Sequence, residues 1–206
     1  MPLTFNKKLH EYQWGGQVVP SVTQALSEWI RIGIVGGFYV NTFSGQAIPA
    51  RLFEHAADFG TAVHKAAGFI LRGELDWGAM APELIGPCLQ FEAWRRDFAP
   101  DISGVEGRLY SQGYGYAGTY DLLISEGSRK WLIIDIKTGG HDLAGPQLAA
   151  YEQLLREDGV KGIIRRAVLY LPKDGGPYKL IEQTDARDWP FFLASLNRHN
   201  YLAGRR

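Results

Sequence analysis

The chain has 206 residues, with 22 basic and 22 acidic side chains and a formal net charge of zero. That length fits one domain with a sizeable core, and no apolar run approaches the roughly 18 residues that mark a membrane span. Cys88 is the single cysteine, which excludes an intrachain disulfide framework and fits a reducing, cytoplasmic setting. The opening MPLTFNKKLHEYQW lacks the apolar stretch of a secretory signal. Balanced charge argues against a surface that is basic throughout. Local basic candidates remain at Lys7-Lys8, Arg95-Arg96, Lys161, Arg165-Arg166 and Arg205-Arg206.

Residues 10–20 alternate polar and apolar around Gly15-Gly16, as a small hairpin would. Pro20-Ser21 then opens a helix. Ser21 is a good N-cap for an apolar face of Val22, Leu26, Trp29 and Ile30, running to Ile32. Core packing is the first role of that helix, and the Ser21–Thr23 corner is also a candidate phosphate site at a helix N-terminus. Gly33 to Ser44 fits either a helical continuation or a loop.

From Pro49 a longer helix is predicted to about Leu71, closed by Gly73. It carries His64, with Gly60 one turn earlier on the same side. A glycine inside a helix costs about 1 kcal/mol against alanine, so Gly60 points to close approach of another group. After a connector at Leu75–Trp77, Pro82 to Phe98 reads as a second amphipathic helix. Pro87 either kinks it or marks its true start. Ser103 to Gln112 reads as a strand in which Val105, Gly107 and Leu109 alternate with Glu106, Arg108 and Tyr110. Tyr114 and Tyr116 in the following turn are either turn aromatics or stacking partners for bases.

The centre of the chain is Gly118 to Tyr151. Residues two apart on a strand share a face. Thr119, Asp121 and Leu123 therefore lie opposite Tyr120, Leu122 and Ile124, and Trp131, Ile133, Asp135 and Lys137 lie opposite Leu132, Ile134 and Ile136. For Asp121 to face Asp135 across a hairpin, the loop must have odd length, such as Gly127-Ser128-Arg129, or contain a bulge; a two-residue loop would pair Tyr120 with Asp135. Two carboxylates on one face resist joint ionisation. An oxygen-ligated divalent cation, Mg²⁺ or Mn²⁺, resolves that conflict and keeps water positions open for phosphate. Lys137 beside such an ion could orient or deprotonate a water, or offset developing charge. This pattern reads as a metal-dependent nuclease site. The apolar run Trp131–Ile134 before Asp135 marks a buried strand, so the charges close a core element.

Thr138-Gly139-Gly140-His141 is a flexible exit suited to close approach of a substrate. Gly145-Pro146 opens a helix with Leu148, Tyr151, Leu154 and Leu155 on its buried side and Gln147 in its first turn. Gly162 to Pro172 is a strand, Lys173–Gly176 a hairpin turn, and Tyr178 to Gln183 the return. Asp185 caps a last helix with Trp189, Phe192, Leu193, Leu196 and Tyr201. The fold class is α/β: a central mixed β-sheet flanked by helices, with N-terminal helical additions. A single domain is expected over 1–206, with a mostly helical 1–100, a sheet core over 101–183 and a C-terminal helix over 184–206.

GTYD, then DIKTG a hairpin later, then QLAAY, resembles the PD-(D/E)XK nuclease superfamily. The likeness is to its RecB-like branch, with DxK and QxxxY motifs, and to small phage-type exonucleases of that branch. GTAVH resembles the helix that supplies a histidine ligand there, and HEYQWGGQVVPSVTQALS resembles the phage-type opening. The resemblance runs in order over about residues 10 to 171. It implies a restriction-endonuclease-like αβββαβ core and a Mg²⁺- or Mn²⁺-dependent DNA exonuclease of phage or bacterial recombination and repair, leaving 5′-phosphates. Implied metal ligands are His64, Asp121, Asp135 and the Ile136 carbonyl, with Glu106 either a further ligand or a surface carboxylate.

In the same comparison Asp121, Asp135, Lys137, Gln147 and Tyr151 are the catalytic set. Ser21, Thr23, Gly60, Thr138, Gln147 and Tyr151 are candidate DNA contacts. DNA with ends is the expected substrate, and a single-strand annealing protein or helicase an expected partner. Some RecB-like nucleases carry an iron–sulfur cluster on four cysteines, which one cysteine cannot supply. A structure-selective endonuclease with the same site, and a non-catalytic DNA-binding member of the fold, are the alternatives.

Overall fold

One short turn sets the register on which the centre of the molecule depends. The structure is a computed structural model that describes residues 2–7, 9–27, 32–35, 38–40, 47–139 and 143–204. Its main sheet has five strands in the order β11-β10-β9-β8-β7. These are β7 (Asp101–Ser111), β8 (Tyr116–Ser125), β9 (Lys130–Lys137), β10 (Ile163–Tyr170) and β11 (Lys179–Glu182). Between β8 and β9, Glu126 N–H donates to Lys130 O at 2.9 Å and Lys130 N–H to Gly127 O at 3.2 Å. The loop is therefore Gly127-Ser128-Arg129, with Gly127 and Arg129 at positive φ. Its odd length pairs Leu122 with Ile134 and Leu123 with Ile133, so continuing the register sets Asp121 opposite Asp135.

β9 and β10 are parallel, joined by α4 (Ala144–Glu157); every other pairing in the sheet is antiparallel. One face carries Leu123, Ile133 and Val168 against α1 (Val22–Ser27), α4 and α5 (Asp188–Leu202). The other carries Leu122, Ile124, Ile134, Ile136 and Leu169 against α2 (Ala50–Arg72) and α3 (Pro82–Phe98). The fold is thus α/β with a mixed five-stranded sheet between helical layers, as expected for the PD-(D/E)XK fold. Among the described residues no helix is long and apolar enough to cross a membrane.

Several local expectations are corrected. α1 ends at Ser27, and Ile32 opens a strand; Trp29 and Ile30 lie outside the described residues. Within Gly33–Ser44, neither helix nor plain loop fits the described residues. β4 (Ile32–Val35), β5 (Phe38–Val40) and β6 (Ala47–Pro49) form a small antiparallel sheet leading into α2, while residues 36–37 and 41–46 lie outside the description. A second small sheet joins β1 (Leu3–Asn6), β2 (Glu11–Trp14) and β3 (Gln17–Val19), with Gly15 and Gly16 both at positive φ in the expected turn. α3 starts at Pro82 and continues through Pro87, so Pro87 is not its start; lacking an N–H, it forfeits one helical hydrogen bond. Asp185 does not cap α5 directly. Its carboxylate accepts from Arg187 N–H at 2.8 Å, one turn ahead of the helix.

Tyr120 departs from the strict alternation. It packs with the α4-side cluster, whereas Leu122 and Ile124 face α2 and α3. On the neighbouring strand, Glu106 adopts φ 48° between the Val105↔Leu122 and Gly107↔Tyr120 pairs. A left-handed residue inside a strand interrupts the pleat and with it the period of two.

Candidate active site

The β8–β9 ladder is recorded as far as the Leu122↔Ile134 pair. Beyond it the Asp121 side chain replaces a backbone partner: Ile136 N–H donates to Asp121 Oδ2 at 2.7 Å. The same peptide is gripped from its other side, since His64 Nε2 donates to Ile136 O at 2.7 Å. His64 Nδ1 stands 3.3 Å from Asp121 Oδ1. Both ring nitrogens thus face acceptor oxygens, the arrangement of an imidazolium. Burial would lower the His64 pKa, but the charge and hydrogen bond of Asp121 outweigh it and raise the value from 6.5 to about 9. Asp121 responds in the opposite sense. Burial favours its acid form, yet His64, Lys137 and the Ile136 N–H hold it below the ordinary carboxylate range.

Asp135 is 1% exposed and turns to the α4 side. Gln147 Nε2 donates to Asp135 Oδ1 at 2.9 Å and to Tyr151 Oη at 3.1 Å. Lys137 Nζ donates to Gln147 Oε1 at 3.3 Å and lies 2.7 Å from Asp135 Oδ2. Oδ2 thereby has a charge partner but no aligned hydrogen bond. Burial pushes the Asp135 pKa up, Lys137 pulls it back, and Asp121 raises it again; the net direction is upward. The Tyr151 phenol is held well above its ordinary pKa by burial and by both carboxylates, so it stays neutral.

The sequence expectation that Asp121 and Asp135 share a face needs amendment. The turn parity is as anticipated, but Asp121 engages α2 through His64 while Asp135 engages α4 through Gln147. The Ile136 peptide runs between them. The structure brings together His64, Asp121, Asp135, Ile136, Lys137, Gln147 and Tyr151. Glu106 lines the same cleft as His64, Asp121 and Ile136. Thr138 is buried, and its Oγ1 faces Gly60, where an added Cβ would sit 3.7 Å away. That is ordinary contact, so crowding within the chain does not demand glycine at position 60.

Ser21 is built into the fold. Its hydroxyl accepts from Gln24 N–H at 3.0 Å while its own N–H donates to Gln24 Oε1 at 2.9 Å, a reciprocal cap. Thr23 is exposed beside it. Tyr116 is fully buried, with its hydroxyl donating to Ala150 O, so it is a core residue and not a base-stacking one. His141 lies outside the described residues.

Two supporting residues escaped the sequence reading. Gly118 is required by Tyr151: a Cβ there would stand 2.7 Å from the Tyr151 ring and 2.9 Å from Val22 Cγ2. Tyr12, on β2, pairs its hydroxyl with Thr119 Oγ1, two residues before Asp121. The glycine opening GTYD carried the first signal; Tyr12 belongs to the HEYQW opening already noted, but its contact across 107 positions had none.

The donors suit a divalent ion. Among the described residues no three His, Cys, Asp or Glu side chains converge tightly enough to form a metal cage. Mg²⁺ needs no such cage, because it commonly takes one or two carboxylates and fills its shell with water and phosphate. Asp135 Oδ2, Asp121 and the Ile136 carbonyl are oxygen donors of that kind, and His64 would add a nitrogen by giving up the proton it holds in the metal-free chain.

The family model of the PD-(D/E)XK nuclease superfamily matches residues 71–199, and the chain belongs to that superfamily. Membership implies a nucleic-acid substrate, and nucleases of the superfamily generally use divalent metals such as Mg²⁺. His64 precedes the matched stretch. Among solved structures, a candidate exonuclease from Eubacterium rectale superposes with a TM-score of 0.51 at 11% identity, covering 72% of this chain and 69% of that one. The structure of SSO0001 gives 0.38 at 19% identity, with 59% and 62% covered. At 11% identity the likeness to the first concerns the fold. No curated protein matches the sequence.

Proposed function

We propose that the chain is a Mg²⁺- or Mn²⁺-dependent deoxyribonuclease acting as an exonuclease on DNA ends, in phage or bacterial recombination or repair. The observation that carries this reading is the clustering of Asp121, on the Ile136 N–H, with the Asp135–Lys137 pair on either side of that peptide, and Gln147 and Tyr151 behind the pair. Asp121, Asp135 and the Ile136 carbonyl would hold the ion, with His64 and Glu106 as further ligands. Bound there, a divalent ion acidifies its water and offsets charge on the phosphate under attack.

Each protein group then has a task. Gln147 fixes Asp135 with its amide nitrogen and Lys137 with its amide oxygen, so one side chain sets the spacing of both. Tyr151 buttresses Gln147 and, remaining a neutral phenol, keeps a proton to donate. Lys137 is placed to take a proton from the attacking water or to donate to a phosphoryl oxygen. Gly60 and Thr138, facing each other beside the cleft, are the proposed close approach for the DNA backbone. Ser21 is assigned to holding α1, leaving the Thr23 hydroxyl as the surface group of that corner. An annealing protein or helicase partner is part of the same proposal.

The test is digestion of linear and closed-circular DNA with Mg²⁺, Mn²⁺ or EDTA, comparing wild type with Lys137→Ala. Metal-dependent loss of linear DNA alone, reduced about 10²- to 10⁴-fold by the substitution, is expected. Cutting of the circle would replace the exonuclease with an endonuclease. Intact binding without cleavage in either metal would leave a non-catalytic member of the fold.

A further inference from the structure

The basic candidates named from the sequence are largely spent on the fold. Arg95 pairs with Glu92, Arg96 with Asp97, Arg165 with Glu126 and Glu182, and Arg166 with Glu152 and Asp188. Lys8, Arg205 and Arg206 lie outside the described residues. A cation that stays available sits elsewhere, in the turn after β10.

Lys173 is exposed, and its Nζ stands 5.0 Å from the centre of the Phe59 ring. Among the described residues no carboxylate lies within ion-pair distance of it. Phe59 precedes Gly60, whose missing Cβ faces Thr138 at the exit of β9. From the other side, Leu171 N–H donates to Lys137 O at 2.8 Å, which ties the start of the Lys173 turn to the catalytic strand. Lys173 therefore lies beyond the carboxyl ends of the parallel pair β9 and β10, where open α/β sheets bind ligands.

The turn is fixed in place. Gly175 N–H donates to Pro172 O, Gly176 N–H donates to Asp174 Oδ1, and Tyr178 N–H donates to Gln90 Oε1 on α3. Gly175 and Gly86 meet backbone to backbone, with a Cβ on Gly86 only 2.8 Å from Gly175 Cα. The Phe59 ring attracts the ammonium and helps to fix where it sits, and an ammonium has three donors to offer an anion. Asp121 and Asp135 are already matched by His64 and Lys137, so neither draws on the Lys173 ammonium.

We infer that Lys173 binds a backbone phosphate of the substrate strand next to the one being cleaved, a role that rests on the nuclease reading above. It is a positioning contact, so it should set affinity and salt dependence and leave base preference alone. The experiment follows initial cleavage rates of a labelled linear duplex with Mg²⁺ from 50 to 200 mM salt, for wild type, Lys173→Ala, Lys173→Arg and Lys161→Ala. Lys161 is the control because it lies before the opposite ends of the same strands, about 25 Å away at 3.3 Å per residue.

Expected for Lys173→Ala is a raised KM at near-constant kcat and a log KM against log salt slope smaller by about 0.9. Lys173→Arg should restore the slope, and Lys161→Ala should match wild type. An unchanged slope in Lys173→Ala overturns the assignment, as does a fall in kcat with KM and slope intact, which marks a structural role. If wild type itself leaves the duplex uncut, the nuclease reading fails and takes this one with it.

Discussion

Helix α4 touches two clusters of buried charge, and they are held in different ways. Around Arg166, the guanidinium reaches Glu152 at 3.4 Å and Asp188 at 3.3 Å and donates to the carbonyls of Gly145 and Asp185. It is a cation that cannot lose its proton, met by acceptors from α4, α5 and the turn before α5. Around Ile136, the cations are His64 and Lys137, both able to give up protons, and the carboxylates flank an open peptide beside a cleft. Burial of charge is common to both. Both also border clefts, the Arg166 group one lined by Glu152, Arg156, Asp185 and Trp189. What separates the candidate site from the structural clamp is the kind of cation.

The sharpest way to break this comparison is to remove each cation. Arg166→Ala leaves Asp188 buried without its partner, while Glu152 keeps Arg156, and should cost about 1–3 kcal/mol of unfolding free energy. Chemical denaturation measures it, and a loss below about 1 kcal/mol would mean that the clamp is an ordinary surface pair. Lys137→Ala should behave in reverse, taking most of the activity and less of the stability, because Gln147 still holds Asp135, whose carboxyl burial already pushes toward the protonated form.

The same contrast decides what was legible in the sequence. Asp121, Asp135, Lys137, Gln147 and Tyr151 lie at spacings of two and four on single elements, so strand and helix periods nearly suffice to assemble them. The turn parity needed only the length of Gly127-Ser128-Arg129. The Arg166 clamp was invisible, because its members at 145, 152, 166, 185 and 188 come from separate elements and meet only in the fold. Lys173 was read as turn chemistry alone, since a lysine in a polar turn is what any loop shows. The splitting of Asp121 toward α2 and Asp135 toward α4 depends on where a ladder stops, which no local pattern encodes. β4 to β6 were missed because their short, glycine-broken runs sustain neither period.

A smaller effect tests the packing behind the site. Gly118→Ala places a methyl group against the Tyr151 ring and Val22, and the expected cost is about 1–3 kcal/mol with Tyr151 displaced. Because Tyr151 buttresses Gln147, the loss should extend to activity. Tyr151→Leu in the same background should recover stability without recovering activity. Equal stability of Gly118→Ala and wild type would show that Tyr151 has room to retreat, and that its contact with Gln147 is not enforced by the strand.

The smallest effect concerns the proton on His64, measured with metal chelated. Its folded pKa of about 9 exceeds the ordinary 6.5, so the imidazolium favours the folded state fully below pH 6.5 and that contribution fades as pH rises through 9. Asp121, held below the ordinary carboxylate range, contributes above that range and loses its share only in acid. The pair therefore supports the fold most fully between the ordinary carboxylate range and pH 6.5. His64 is about one-third open to solvent, which limits the contribution to the order of 1–2 kcal/mol. The stability gap between wild type and His64→Gln should accordingly be largest near pH 6 and nearly closed by pH 9.5. The Arg166 clamp, with a cation that does not titrate, should give Arg166→Ala a gap that stays level over the same range. A flat profile for His64→Gln would mean that the imidazole is neutral in the folded chain and that Asp121 is held by the Ile136 N–H alone.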